Sequence, residues 1–344
     1  MEICKKKRNF AALFLFHCYF STLKRPNMTI LFTTRLPENG FHLPEYKLVI
    51  PETPYFSEEE LMSRIAEAEI LVSTFDFTVS SALLDKGKKL RLVANFGVGF
   101  NNIDIAYCRA HNILVTNTPL PVIEPTAEHC FALMHAIAHR TAELDRRLRM
   151  PDYDGIRFGV MNNLGYSLFG KTLGIVGMGR IGQAVARRAI AAGMRIIYYN
   201  RHQLPKAIEE QYEAHYTDMD TLLREADFIS LHLPYTPQVH HLIDREALSK
   251  MKPTAILINT ARGAHIDEAA LAEALANQQI AGAALDVYEH EPHISEALLQ
   301  LDNVVMSPHI GTGTIDGRLA MCKNVEENIR YFMQGDNAKM NLVR

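Results

Sequence analysis

From Met28 onward, short apolar runs alternate with stretches whose apolar positions recur every three to four residues. That alternation predicts strands interleaved with helices, and hence α/β architecture with mostly parallel sheets. Residues 28–35 and 46–51 read as strands. A helix over Glu58 to Glu69 carries Leu61, Met62, Ile65 and Ala68 on one face, and 70–73 and 90–94 are further strands. Gly97-Val98-Gly99 interrupts the pattern, and a helix is predicted to begin at 101–104. After Pro119-Leu120-Pro121 a long helix, Thr126 to Leu148, carries Phe131, Leu133, Met134 and Ile137 and ends in the polar run Arg140 to Arg149. A looser segment, 150–170, precedes regular strand–helix units with strands near 171–176, 194–199, 227–231, 255–259, 281–285 and 304–306. A last helix is expected from about Thr314 to Met333. The division expected is a leading segment 1–27, a discontinuous domain 28–120 plus 310–344, and a second domain 121–309. Each domain is a doubly wound parallel sheet, with a cleft expected between them.

Composition changes this picture little. The formal charge is -3, and no basic patch with interleaved aromatics argues for nucleic acid. Cys4, Cys18, Cys108, Cys130 and Cys322 are odd in number, scattered and without metal-ligand spacing. They fit reduced thiols in a cytoplasm better than a disulfide framework. Lys5-Lys6-Lys7-Arg8 followed by the apolar run 10–16 has the outline of a signal peptide, but the run is too short to span a bilayer. Residues 1–27 are expected to be an upstream extension or a start-site artefact, with a targeting segment as the alternative. No transmembrane span and no membrane partner are expected.

The first chemical signal is Gly177-Met178-Gly179-Arg180-Ile181-Gly182, a G-x-G-x-x-G run with a predicted strand before it and a helix after it. Gly177 suits the tight turn, Gly179 lets the backbone approach a pyrophosphate, and Gly182 permits close helix–strand packing. The domain is therefore Rossmann-like and expected to bind a dinucleotide. The next strand ends in Asn200-Arg201-His202, where an acidic residue would bond the adenine ribose of NAD. A neutral Asn200 beside cationic Arg201 suits a 2′-phosphate, so NADP is the preferred cofactor and NAD the alternative.

The second signal is three charged residues, each at the tail of an apolar strand-like run: Arg262, Glu291 and His309. In such a sheet the strand C-termini converge on one crevice. A cation, a carboxylate and an imidazole are what reduction of a charged 2-keto acid requires, so no metal is implied.

Gly177 to Gly182, Asn259-Thr260-Ala261-Arg262-Gly263, Asp286-Val287-Tyr288-Glu289-His290-Glu291-Pro292 and Ser307-Pro308-His309-Ile310-Gly311 together make the sequence resemble the D-isomer-specific 2-hydroxyacid dehydrogenases. The resemblance covers nearly everything from Met28. It implies that Arg262 binds and polarises the substrate, that His309 is the acid/base and that Glu291 is its partner. It places the substrate carboxylate on the backbone N–H groups of Val98 and Gly99, with Phe96 as pocket wall or simply core. It puts Asp286 on the nicotinamide carboxamide, Thr260, Ala261 and Gly311 along the same surface, and His232 and Pro234 at the adenine edge. Thr126 would touch the nicotinamide side or serve as a helix N-cap. The discontinuous domain would bind substrate, domain 121–309 would bind the dinucleotide, and the long helix would sit in a homodimer interface.

Departures are few. The sequence has no tryptophan, and the aromatic before the fingerprint is taken as Phe158. No regulatory module follows the last helix, which disfavours a phosphoglycerate dehydrogenase with an effector domain. The expected activity is reduction of glyoxylate or hydroxypyruvate to the D-2-hydroxy acid. Dehydrogenase chemistry on D-lactate, on branched D-2-hydroxy acids or on phosphoglycerate is the alternative, and a nucleotide-sensing corepressor-like scaffold a further one.

Overall fold

A computed structural model of the protein describes residues 28–37, 40–151 and 159–343. The expected extension 1–27 and Phe158 lie outside these residues. The described residues form two compact units, one within 28–121 together with 315–343 and the other within 122–314.

The first unit holds β1 (Thr29–Phe32), β2 (Lys47–Val49), β3 (Ile70–Thr74), β4 (Leu92–Phe96) and β5 (Leu114–Thr116), paired in parallel in the order β2-β1-β3-β4-β5. β3 and β4 are buried at every position, and each opens on three apolar residues, Ile70-Leu71-Val72 and Leu92-Val93-Ala94. Helix Glu58–Arg64 starts at a reciprocal cap: Glu60 N donates to Ser57 Oγ, and Ser57 N donates to Glu60 Oε2. The C-terminal helix Ile315–Gln334 belongs to this unit and packs on β4.

The second unit holds β6 (Thr172–Val176), β7 (Arg195–Tyr199), β8 (Ala214–Tyr216), β9 (Phe228–Leu231), β10 (Ile256–Asn259), β11 (Gly282–Leu285) and β12 (Val304–Met306). They form one parallel sheet in the order β12-β11-β10-β9-β6-β7-β8. The strand order reverses between β6 and β9, so the C-terminal ends of those two strands flank a topological switch point. Cores on the two faces of this sheet centre on Leu231, Leu257 and Leu271 and on Ile175, Tyr198 and Ile258.

The long helix expected over Thr126 to Leu148 is two helices, Ile123–Ala138 and Thr141–Leu148. The break has a long-range cause. Tyr166 N donates to Ala138 O at 2.8 Å, removing the acceptor the next turn would use. Gly165 lies directly on that carbonyl. Arg140 then adopts a left-handed φ of +57° and forks onto Glu143 through Nε and Nη2, both at 2.7 Å. Among the described residues, no helix is long and apolar enough to cross a membrane.

Candidate active site

The glycine run lies at the C-terminal end of β6. Gly177 has φ +97°, and a Cβ there would meet Leu233 N at 2.7 Å and the His232 carbonyl carbon at 2.8 Å. Only glycine lets the loop pass beside the end of β9. A Cβ on Gly182 would strike Gly177 O at 2.5 Å. Gly179 differs: a Cβ there would meet nothing within 4 Å. It is the N-cap of helix Arg180–Ala191, with no side-chain cap hydrogen bond. The first-turn N–H groups of this helix have no intrahelical acceptor, and open space lies above the cap, so the cradle fits a pyrophosphate.

Met178 N donates to Asn200 Oδ1 at 2.8 Å. The Asn200 carbonyl oxygen is thereby committed to the glycine loop, and its amide nitrogen is the side chain's remaining polar atom. Arg201 and His202 follow, both exposed.

Arg262 follows β10. Asn259 fixes its main chain: Asn259 Nδ2 donates to Arg262 O at 2.8 Å, and Ala261 N donates to Asn259 Oδ1 at 3.0 Å. Gly263 packs against the Tyr288 backbone with no room for a side chain. The loops after β10 and β11 are thus in direct contact. Burial pulls the Arg262 guanidinium below the ordinary arginine range, opposed by the Glu291 carboxylate. Glu291 Oε1 accepts from Tyr288 N at 3.0 Å, and its Oε2 lies 2.7 Å from His309 Nδ1. His309 itself has φ +52°.

Asp286, at the end of β11, holds the His309 segment. Its Oδ1 accepts from Ser307 Oγ at 2.6 Å and Ile310 N at 2.8 Å, and lies 3.2 Å from His129 Nε2. Its Oδ2 accepts from Gly311 N at 2.8 Å, and its backbone carbonyl accepts from His309 N at 2.8 Å. Burial raises the Asp286 carboxyl, but the bonds from His129, Ser307 and Ile310 outweigh it and hold the group below the usual range. Little acceptor capacity is left for a ligand, and it lies on Oδ2.

In the first unit, the Gly97-Val98-Gly99 carbonyls are all tied back. Asn95 Nδ2 donates to Gly97 O at 3.1 Å and Gly99 O at 2.7 Å, and Asn117 Nδ2 donates to Val98 O at 2.9 Å. In a trans peptide the N–H points opposite the preceding C=O. Anchoring the Gly97 and Val98 carbonyls therefore turns the Val98 and Gly99 N–H groups away from the unit's own polar groups.

The model of the D-isomer specific 2-hydroxyacid dehydrogenase NAD binding domain matches residues 131–311. A glyoxylate reductase of Thermococcus litoralis is 44% identical over 89% of this chain and 94% of its own length. The chain belongs to the D-isomer specific 2-hydroxyacid dehydrogenase family. It is an oxidoreductase of that family. Two solved structures are similar throughout. One is a glyoxylate reductase from Paecilomyes thermophila, with 31% identity, TM-score 0.79, and 90% of this chain and 96% of that one covered. The other is the NADPH-dependent glyoxylate/hydroxypyruvate reductase of Sinorhizobium meliloti in complex with NADP and malonate, with 30% identity, TM-score 0.77, and 89% and 93% covered.

Other expected site residues of this dehydrogenase fall into different settings. The Phe96 ring is in the interior, with Arg318 over its face at 5.7 Å, leaving no accessible surface for a ligand. The Met178 side chain is in the core, so only its backbone belongs to the loop. His232 is bonded to Ser230 Oγ at 2.8 Å, and burial drives its imidazole down to about 4, while Pro234 is exposed. Thr260 is buried. Thr126 lies inside its helix rather than at the N-cap, which is Val122, and a Cβ on Gly311 would lie 3.6 Å from its Cγ2. Sequence reasoning missed His129 and Ser307, which are 2.8 Å apart and both bonded to Asp286. His129 sits mid-helix, far from its partners in the sequence, so no local pattern marks it.

Proposed function

We propose that this dehydrogenase reduces a small 2-keto acid, glyoxylate or hydroxypyruvate, to the D-2-hydroxy acid, with NADPH preferred over NADH. The observation that carries the reading is the Glu291–His309 pair at 2.7 Å, joined to the half-buried Arg262 by the contacting loops after β10 and β11. Arg262 pairs with the substrate carboxylate and polarises the ketone. In the first unit, the Val98 and Gly99 N–H groups are suited to a carboxylate. His309, with Nδ1 on Glu291, delivers a proton from Nε2 to the ketone oxygen as it becomes an alkoxide. A bound dihydronicotinamide supplies the hydride. The N–H groups after Gly179, at Arg180 and Ile181, hold its pyrophosphate, and Asn200, Arg201 and His202 meet the adenosine end. Asp286 positions the 307–311 segment.

Relatives named glyoxylate reductase support the substrate class. Asn200 supports NADPH, because its neutral amide does not repel a 2′-phosphate and one of the two acceptor sites of its oxygen is already used by Met178 N. A homodimer is part of the same reading, supported by exposed Val160, Met161, Leu164 and Phe169 in the second unit. The described cysteines, Cys108, Cys130 and Cys322, are buried free thiols, which supports a cytoplasmic setting.

The test is a steady-state assay of protein begun at Met28, with NADPH and NADH against glyoxylate, hydroxypyruvate, pyruvate and 2-ketoisocaproate. Turnover is expected with NADPH and the two small polar acids, with His309→Ala lowering kcat by about 10²- to 10⁴-fold. Turnover confined to NADH or to bulky acids overturns the specificity. No turnover with any pair moves weight to a binding role.

A further inference from the structure

Outside the residues used above, one cluster of metal-ligating side chains stands among the described residues: His240, His241 and Glu289, with donor atoms all within 4.8 Å of one another. Neighbouring side chains in an extended strand point to opposite sides. Here His241 has φ +49°, and the two consecutive imidazoles stack instead, with centroids 3.9 Å apart. His241 Nε2 lies 2.6 Å from Glu289 Oε1, and His240 Nδ1 lies 3.4 Å from Tyr235 Oη. His241 and Glu289 are half-buried and His240 is exposed. Both main-chain segments are anchored: His241 N donates to Ala264 O at 2.9 Å, and Glu289 N donates to Glu268 Oε1.

We propose that His240, His241 and Glu289 form a binding site for a divalent transition-metal ion, zinc above all. Two imidazoles and one carboxylate are an ordinary zinc donor set, with the fourth position left to water. Donors about 2.0–2.2 Å from a tetrahedral zinc lie about 3.4 Å apart. The close pair must widen slightly and the exposed His240 must swing inward, which its exposure allows. The ion takes the place of the proton shared between His241 Nε2 and Glu289 Oε1, and that proton leaves to solvent. Such an ion joins the turn around His241 to the segment carrying Glu291. It has no part in hydride transfer, and the proposal does not depend on the substrate or cofactor assigned above.

Metal-free full-length protein is titrated with Zn²⁺ against a chromophoric chelator, with the melting temperature followed in parallel. Wild type is expected to bind one ion that is lost, or weakened at least tenfold, in both His240→Ala and Glu289→Gln. Zinc is expected to raise the melting temperature of wild type but not of His240→Ala. His240 is exposed, so its variant tests the site in a folded protein, which circular dichroism checks. Unchanged zinc affinity and stoichiometry in folded His240→Ala overturns the proposal. So does the absence of binding by wild type. A loss confined to His135→Ala, whose ring stacks with His139 at 5.7 Å, also overturns it.

Discussion

In the proposed reading, cofactor choice turns on Asn200. A carboxylate there would accept from both ribose hydroxyls and repel a 2′-phosphate. The amide instead receives Met178 N at 2.8 Å, and the exposed Arg201 follows it. A charge-assisted bond to a phosphate contributes about 1.5–3 kcal/mol, or roughly 10- to 100-fold. Arg201→Ala is therefore expected to lower kcat/KM for NADPH by that factor and to leave NADH within about threefold. Parallel loss with both cofactors would make Arg201 structural. The position of Asn200 was legible, because a strand after the fingerprint must end there. Its bond to Met178 was not, since amide orientation follows from the folded loop. The loop positions of Arg262, Glu291 and His309 were legible for a related reason: they lie three residues past β10, six past β11 and three past β12, and apolar strand runs mark where such loops begin. Asp286 is expected from the sequence to contact a ligand, yet three groups around Oδ1 and one on Oδ2 make it mainly the anchor of the His309 segment.

At the scale of elements, the loop from β6 to helix Arg180–Ala191 separates folding from binding within six residues. Gly182→Ala places a methyl 2.5 Å from Gly177 O, so it is expected to destabilise the protein by about 1–3 kcal/mol as overpacking. Gly179→Ala meets nothing within 4 Å and is not at positive φ, so its unfolding free energy should stay within about 0.5 kcal/mol of wild type. Its methyl occupies the space above the helix N-terminus, and the dissociation constant for the dinucleotide should rise at least about tenfold. Denaturant melts together with fluorescence titration of the reduced cofactor separate the two effects. A Gly179→Ala protein that binds normally would place the pyrophosphate elsewhere. Long buried strands such as β6 and β10 were readable, but β5 and β8 were not. Length alone is not the reason, since β2 and β12 also have three residues; β8 is Ala214-His215-Tyr216 at the sheet edge with two exposed positions, so it leaves no apolar run to read. The break after Ala138 was equally hidden, because its cause, Tyr166 N on Ala138 O, is a distant contact.

Across the whole molecule, the buried histidines of the second unit tie stability to pH. Burial, helped by the charge of Arg262, drives His265 down to about 4, and it has no exposed surface. His232 is also near 4 by burial. In the unfolded state both titrate near about 6.5. Between these values the unfolded state binds a proton that the folded state refuses, so stability falls as pH drops through about 6.5 and levels off below about 4. Asp286 acts in a different window. Its lowered carboxyl contributes stability that is present above the unfolded value of about 3.9 and is lost only as pH falls further, so it is silent between about pH 7 and 5. A shift of this size costs about 2 kcal/mol per histidine between about pH 7 and 5. His265 bears this in full, whereas His232, which keeps some accessible surface, contributes less. The urea unfolding free energy should then drop by about 2–4 kcal/mol on going from about pH 7 to 5. In His265→Gln, whose amide does not titrate, at least half of that drop should disappear, whatever the variant's stability at neutral pH. An undiminished drop would mean that His265 takes up its proton in the folded state, and would assign the acid sensitivity to other groups.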